Sequence, residues 1–282
     1  MKNIFWRFFD FFIFSSIYIG ACAVLMVHQT NHLLHLHYDA IHYGLFVFFS
    51  TICSYNFHWF LTPVVESELM RVRWTIQHKK LHLFLYLVGL LGAAWYFFYF
   101  TGHWFWMGIA ILLSFLYSAP KLPLHPFGML RKIAVVKTIF LAFVWMYVTT
   151  FLPVVFSERQ WVPADVLFCC SRFFLIYSIC ILFDYRDRAN DKKEGIRSLV
   201  TYLSEAGIHR LFGFSLLAFA ASTAALYFTD MSITVILLLL LPGLITLSLY
   251  NVARKNFSDY LYYFVLDGLM MFSALFTSFI SI

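Results

Sequence analysis

Along this chain the hydrophobic positions do not recur at the period of a surface helix; they run on for the width of a membrane. Apolar runs close to the roughly 20 residues that a spanning helix needs occupy 4–27, 43–62, 81–100, 103–119, 131–156, 162–184, 211–229, 232–252 and 259–281. The pattern predicts an all-α integral membrane protein, a bundle of nine transmembrane helices. The polar gaps are short, so residues 1–282 read as a single domain.

Composition agrees: 62% of residues are hydrophobic and 12% charged, with a mean hydropathy of +0.80, whereas soluble domains carry roughly 25% charge. Orientation follows from the cations, which accumulate at cytoplasmic span ends. With the N-terminus cytoplasmic and the C-terminus outside, seventeen of the 20 Lys and Arg residues fall on inner segments. Only Arg159 falls in an outer loop, while Lys137 and Arg172 lie within spans. The net charge of +6 then describes an inner surface facing anionic headgroups, not a nucleic-acid-binding face. These features together indicate a multi-pass protein of the bacterial inner membrane.

Lys2 and Arg7 before an apolar run, with Ala21-Cys22-Ala23 beyond, resemble a secretory signal, but the run continues through Val24–Val27 and reads as an uncleaved helix. All five cysteines fall inside expected spans and read as packing residues.

Span six ends in an unusual way. After about twenty apolar residues comes FDYRDRANDKKEGIRSL, residues 183–199. If the helix continues past Phe183, Asp184, Asp187 and Asp191 stand at i, i+3 and i+7, along one face. Three like charges repel, and a divalent cation would relieve them. Mg²⁺ is bound by few carboxylates and completes its shell with water and phosphate oxygens. The neighbouring Arg188, Lys192, Lys193 and Arg197 suit a diphosphate held by the same metal. The alternative is a solvated loop of mixed charge that only marks the inner side.

The order Asp184-x-x-Asp187-x-x-x-Asp191, followed by Gly195-Ile196-Arg197-Ser198, resembles the second aspartate-rich motif of the UbiA superfamily of intramembrane prenyltransferases. Tyr117-Ser118-Ala119-Pro120-Lys121 and Lys137 are similar to the corresponding region of family members. The first motif of that family, roughly N-D-x-x-D-x-x-x-D at the inner end of the second helix, is not preserved. Asn56 stands in register, but Phe57, Phe60 and Val64 occupy the aspartate positions. Asn56 and His58 could hold one weaker metal there; Glu66 and Glu68 could substitute only if the chain bends back after Pro63.

The resemblance implies transfer of a prenyl group from a prenyl diphosphate to an aromatic or lipid acceptor, with Mg²⁺ assisting diphosphate departure. It implies catalytic roles for Asp184, Asp187, Asp191, Asn56 and Lys137, with the three aspartates as metal ligands. It places Lys121, Arg188, Lys192, Arg197 and His58 around the diphosphate. The missing first-motif aspartates leave open a non-catalytic prenyl-lipid binder or transporter of the same fold. Aromatic residues, 21% of the chain, could line such a cavity; Trp59, Trp74 and Trp145 are the first candidates.

Charged groups within a span are costly and usually have an interior partner. Asp267 could pair with Lys137, which lies about 9 Å inside its span end at 1.5 Å per residue, and Arg172 reads as a packing residue. The inner segment 66–80, with Leu69, Met70, Val72, Trp74 and Ile76 among four cations, suits a helix lying on the headgroups. A third class remains: His28, His32, His35, His37 and His42 crowd one outer segment, and His28 and His32 have the i, i+4 spacing of a helical metal pair.

Overall fold

The computed structural model describes residues 3–63, 69–118, 137–193 and 198–280, of Lys137 the backbone alone. Among these residues the regular structure is entirely helical. Helices α1 (Ile4–Phe14) and α2 (Ile17–Leu33) meet at a 56° bend. The break is Ser16, in the left-handed region at φ 71°, a costly conformation for a residue with a Cβ. Then follow α3 (Ala40–Phe60), the short α4 (Met70–Gln77) and α5 (Lys79–Phe97). A 3₁₀ turn at Phe98–His103, non-helical at Phe100, leads to α6 (Trp104–Ser118).

Helix α7 (Lys137–Met146) continues through a π-helical turn, Tyr147–Phe151, to Phe156. Helix α8 is the longest, Pro163–Lys193. The short α9 (Leu199–Tyr202) precedes α10 (Glu205–Ala225) and α11 (Ile233–Ala253). Ser204 and Ser232 cap α10 and α11, accepting from Gly207 and Val235 N–H. A second π-helical turn, Leu261–Leu266, runs into α12 (Asp267–Phe272), with α13 (Ala274–Thr277) behind it.

Among the described residues five stretches are long and apolar enough to cross a membrane: Lys79–Ser118, Thr138–Phe156, Pro163–Lys193, Glu205–Thr229 and Ile233–Ala253. The bent α1–α2 pair makes six if counted as one span. The 40-residue stretch covers two of the expected spans, separated by the turn at Phe98–His103. Helix α3 and Leu261–Phe272 are helical where spans were expected; the latter is apolar but short, and polar side chains punctuate α3 and the residues that follow Phe272. Those side chains face other helices: Asn56 is fully buried on α3, and Ser273 and Thr277 both accept from Gln29 Nε2 at 3.0 Å.

The outer surface is as apolar as the core, as expected where the surroundings are lipid. Phe84, Leu91, Trp95, Phe105, Leu217 and Phe228 are exposed on the outside, while polar seams join the helices within. Arg172 donates to Gln29 Oε1 at 2.9 Å and Met270 O at 3.2 Å; Ser171 and Thr223 share a 2.7 Å bond. Helices α3 and α5 pack backbone to backbone. A Cβ on Gly89 would stand 2.5 Å from Cys53 N, and one on Gly92 2.4 Å from the Phe49 ring.

Candidate functional site

The helix carrying the acidic stretch does continue past Phe183, to Lys193. Asp184 and Asp191 are 8% and 6% exposed, whereas the Asp187 side chain is 38% exposed. The Thr138 hydroxyl donates to Asp184 Oδ2, and Arg186 Nε to Asp187 Oδ1 at 2.8 Å. Arg186 also reaches Tyr263 Oη at 3.0 Å and faces Asp259 at 3.8 Å. Arg188 turns away from this face: it donates to Glu205 and to Leu203 O, and Arg254 holds the other Glu205 oxygen. Lys192 is exposed. Lys121 and Arg197 lie outside the described residues, as does the side chain of Lys137.

Among the described residues no three His, Cys, Asp or Glu side chains converge as a metal cage. An ion that needs one or two carboxylates and takes its remaining oxygens from water and phosphate still suits the α8 set, and Mg²⁺ has that character. At the C-terminal end of α2, His28 and His32 stack with ring centroids 6.2 Å apart, and a His32 ring nitrogen lies 3.0 Å from Ile280 O.

At the C-terminal end of α3, Asn56 is spent within the protein. Its Nδ2 donates to Ser15 O at 3.0 Å and Ile52 O at 2.8 Å, and its Oδ1 accepts from His82 Nδ1 at 2.7 Å. His58 stacks on Tyr117 at 5.3 Å, and Phe57 meets Tyr86 at 5.1 Å. Val64, Glu66 and Glu68 lie outside the described residues.

Beside this end stands a residue that sequence reasoning counted only as an interface cation. Arg71, 2% exposed, drives its guanidinium from α4 into the bundle, 4.3 Å from the Trp59 ring centroid, 5.1 Å from Phe14 and 5.4 Å from Tyr263. Its Nη1 donates to Ile13 O at 3.3 Å, and its backbone N–H to Asp259 Oδ2 at 2.8 Å. Burial pulls its pKa down to about 10, so it stays charged at neutral pH. Arg71 borders a chamber of about 20 Å³ with Ser16, Tyr55, Trp59, Tyr263 and Asp267. The only hint in the sequence was its place beside Trp74 on a short amphipathic segment.

A larger cavity, about 520 Å³, lies between α3, α5, α6 and α7. Its walls include Phe46, Phe57, Ala93, Ala110, Leu141 and Trp145, with exposed Leu90, Phe98, Ile111 and Phe115 at the lipid-facing side. No carboxylate lines it. At the end nearer α8 stand Tyr117, Ser118 and Leu141, the last one turn after Thr138, which holds Asp184. The acidic face of α8 thus stands one step beyond the cavity. Of the three tryptophans singled out, Trp145 lines the cavity, Trp59 borders the chamber and Trp74 stacks on His78 at 4.3 Å.

Fold and site together define a multi-pass helical membrane protein with a lateral, lipid-facing cavity beneath an acidic helix end. Its structure is similar to the apo structure of a UbiA homolog from Aeropyrum pernix K1, with a TM-score of 0.55 over 99% of this chain and 100% of that one, at 11% identity. The chain has a UbiA-type fold. No protein-family model and no curated protein matches the sequence.

Proposed function

We propose that this chain is an intramembrane prenyltransferase that moves a prenyl group from a prenyl diphosphate to a hydrophobic acceptor. In this reading the bundle has nine passes in a bacterial inner membrane, with the N-terminus and the α8 carboxylates cytoplasmic and the C-terminus outside. The observation that carries it is the link from buried Asp184, through Thr138, to the inner end of an apolar cavity within the 300–1,000 Å³ range of ligand sites. The prenyl chain lies in that cavity and the diphosphate at the α8 end. There Asp187 and Asp191 would hold Mg²⁺, whose charge would ease departure of the diphosphate.

The remaining work falls to the chain itself. The allylic C–O bond breaks with its electron pair leaving on the diphosphate, a new bond forms to the acceptor nucleophile, and the acceptor's proton passes to the departing diphosphate. Apolar walls keep water from the electron-poor carbon, and the Trp145 and Tyr55 rings at the wall favour positive charge. Lys121, Lys137, Lys192 and Arg197 supply cations toward the diphosphate. Arg188, tied to Glu205, contributes only if that pair opens, and Asn56 acts by positioning α3.

A second reading is favoured by one specific observation. Phe57 and Phe60 stand where the first carboxylate pole would be, and Asn56 is already fully bonded. A protein so built could bind a prenyl lipid without breaking its diphosphate. Incubating the purified protein in nanodiscs with labelled geranylgeranyl diphosphate, Mg²⁺ and a panel of phenolic and lipid acceptors separates the two. Transfer predicts Mg²⁺-dependent diphosphate release, abolished in Asp187→Asn and Asp191→Asn with unchanged Tm; saturable binding with no release leaves only the binder.

A further inference from the structure

Arg186 stands between two carboxylates and is bonded to only one of them. Its side chain is 5% exposed and lies against the Tyr262, Tyr263 and Phe183 rings at 4.5, 5.0 and 5.3 Å. Its Nε donates to Asp187 Oδ1 at 2.8 Å and its Nη2 to Tyr263 Oη at 3.0 Å. The third nitrogen, Nη1, is fully buried and has no hydrogen-bond partner. It faces Asp259 Oδ1 at 3.8 Å, an oxygen that is likewise fully buried and unbonded. That separation is too long for a hydrogen bond, so a buried donor and a buried acceptor confront each other unjoined, although such atoms nearly always find partners.

The two carboxylates are not equivalent. The Asp187 side chain is 38% exposed and lies at the acidic end of α8, so water can serve it if Arg186 leaves. The Asp259 side chain is 3% exposed, and its other oxygen already accepts from the Arg71 N–H at 2.8 Å, in the first turn of α4. Arg186 therefore neutralises the carboxylate that needs it less. Neighbours on a helix do not face each other, and the guanidinium reaches Asp187 by turning along its own helix, away from Asp259.

A second positive charge at Asp187 would reverse this preference. It would take over the carboxylate and repel the guanidinium at contact distance, and a shift of about 1 Å closes the 3.8 Å gap to the length of a charge-assisted bond. We propose that Asp259 is a positioning residue of the α8 cation site, receiving the Arg186 guanidinium when a divalent cation occupies Asp187. The exchange rests on the reading of Asp187 as a metal ligand. Arg186 and Asp259 act through that carboxylate, and the exchange ties the loaded end of α8 to the first turn of α4.

The test is Mn²⁺ binding to the full chain in phosphatidylcholine nanodiscs, with free Mn²⁺ read by electron paramagnetic resonance and empty nanodiscs as the blank. Asp259→Asn, which keeps an oxygen for the Arg71 N–H, is expected to weaken binding about fivefold or more, within the coupling found between residues in contact. Arg186→Gln, which frees Asp187, is expected to bind at least as tightly as the native protein, and adding Asp259→Asn to it changes nothing further. Were the pair only a structural tie, both variants would bind more weakly and their effects would add. That result overturns the proposal, as does unchanged affinity in Asp259→Asn. Should Arg186→Gln fail to fold, amide hydrogen exchange decides: Mg²⁺ is expected to slow exchange over Met70–Gln77 in the native chain and not in Asp259→Asn. Exchange there that ignores Mg²⁺ in the native chain, or slows equally in the variant, overturns the proposal. The metal reading fails separately: Mn²⁺ binding that is absent, or that survives Asp187→Asn, removes the cation from α8 and the exchange with it. Binding that is lost in Asp187→Asn but indifferent to Asp259 keeps the cation and removes only the exchange.

Discussion

Asn56 on α3 and His82 on α5 share a 2.7 Å hydrogen bond in which His82 Nδ1 donates to Asn56 Oδ1. The direction is fixed from the other end of the amide, because Nδ2 already serves two carbonyls, Ser15 O at the α1–α2 bend and Ile52 O. One side chain thereby ties the bent first helix, α3 and α5 together. Asn56→Leu leaves the His82 N–H and the Ser15 carbonyl without a partner and is expected to cost about 1–3 kcal/mol, read as a lower Tm in detergent. Asn56→Asp is expected to be worse than Leu, since a carboxylate would face two carbonyl oxygens. A drop in prenyl-diphosphate turnover with Tm unchanged would instead make Asn56 a substrate contact.

The α3–α5 contact is as close as backbones allow. Gly89→Leu cannot be absorbed by a flexible neighbour, because the atoms met by a new Cβ are Cys53 N at 2.5 Å, Cys53 Cα and Phe49 O. Even Gly89→Ala must push α5 off α3, with a loss of at least about 1–3 kcal/mol typical of overpacking. Gly108→Ala, where nothing lies within 4 Å, serves as the neutral control and is expected to leave Tm unchanged or raise it slightly. Equal effects at the two positions would contradict the packing described.

How much of this was legible in the sequence depends on what the signal had to cross. The acidic face of α8 was readable because its information is local: spacing within one helix fixes which side chains share a face. The membrane class and the UbiA-type fold were readable from run lengths and one dense motif. The fate of Asn56 was not, because register in a motif says nothing of His82, twenty-six residues away, or of Ser15. The burial of Arg71 was not readable for the same reason: its partners, Phe14, Trp59, Asp259 and Tyr263, come from three other parts of the chain. Arg188 was expected beside the diphosphate from its sequence position, whereas its orientation is set by Glu205 at the start of α10.

Asp259 joins α4 to α8, accepting from the Arg71 backbone N–H and facing Arg186. Burial raises its pKa above the ordinary carboxylate value, and the Arg71 N–H together with the charges of Arg186 and Arg71 pull it back only in part. A raised folded-state pKa means that Asp259's contribution to stability is complete below the ordinary carboxylate range and is lost as pH rises through the folded value. Asp259→Asn removes that dependence. The Tm of the variant relative to the native protein should therefore improve from acid toward neutral pH; a difference that moves the other way would show that the arginines outweigh burial.

The cavity makes a prediction that separates ligand binding from stability. Ala93 lines it on α5, within the lateral apolar wall and away from both the α8 carboxylates and the Arg71 chamber. Ala93→Trp would place an indole in space now available to a hydrocarbon chain. Filling a void adds apolar contact and does not disturb the α3–α5 seam at Gly89 and Gly92, so Tm should hold or rise. Binding of geranylgeranyl diphosphate should fall by at least about tenfold, or 1.4 kcal/mol, while a short dimethylallyl diphosphate, whose chain does not reach that depth, should bind as before. Equal loss for both chain lengths would place the effect at the headgroup, and no loss for either would show that the prenyl chain lies elsewhere.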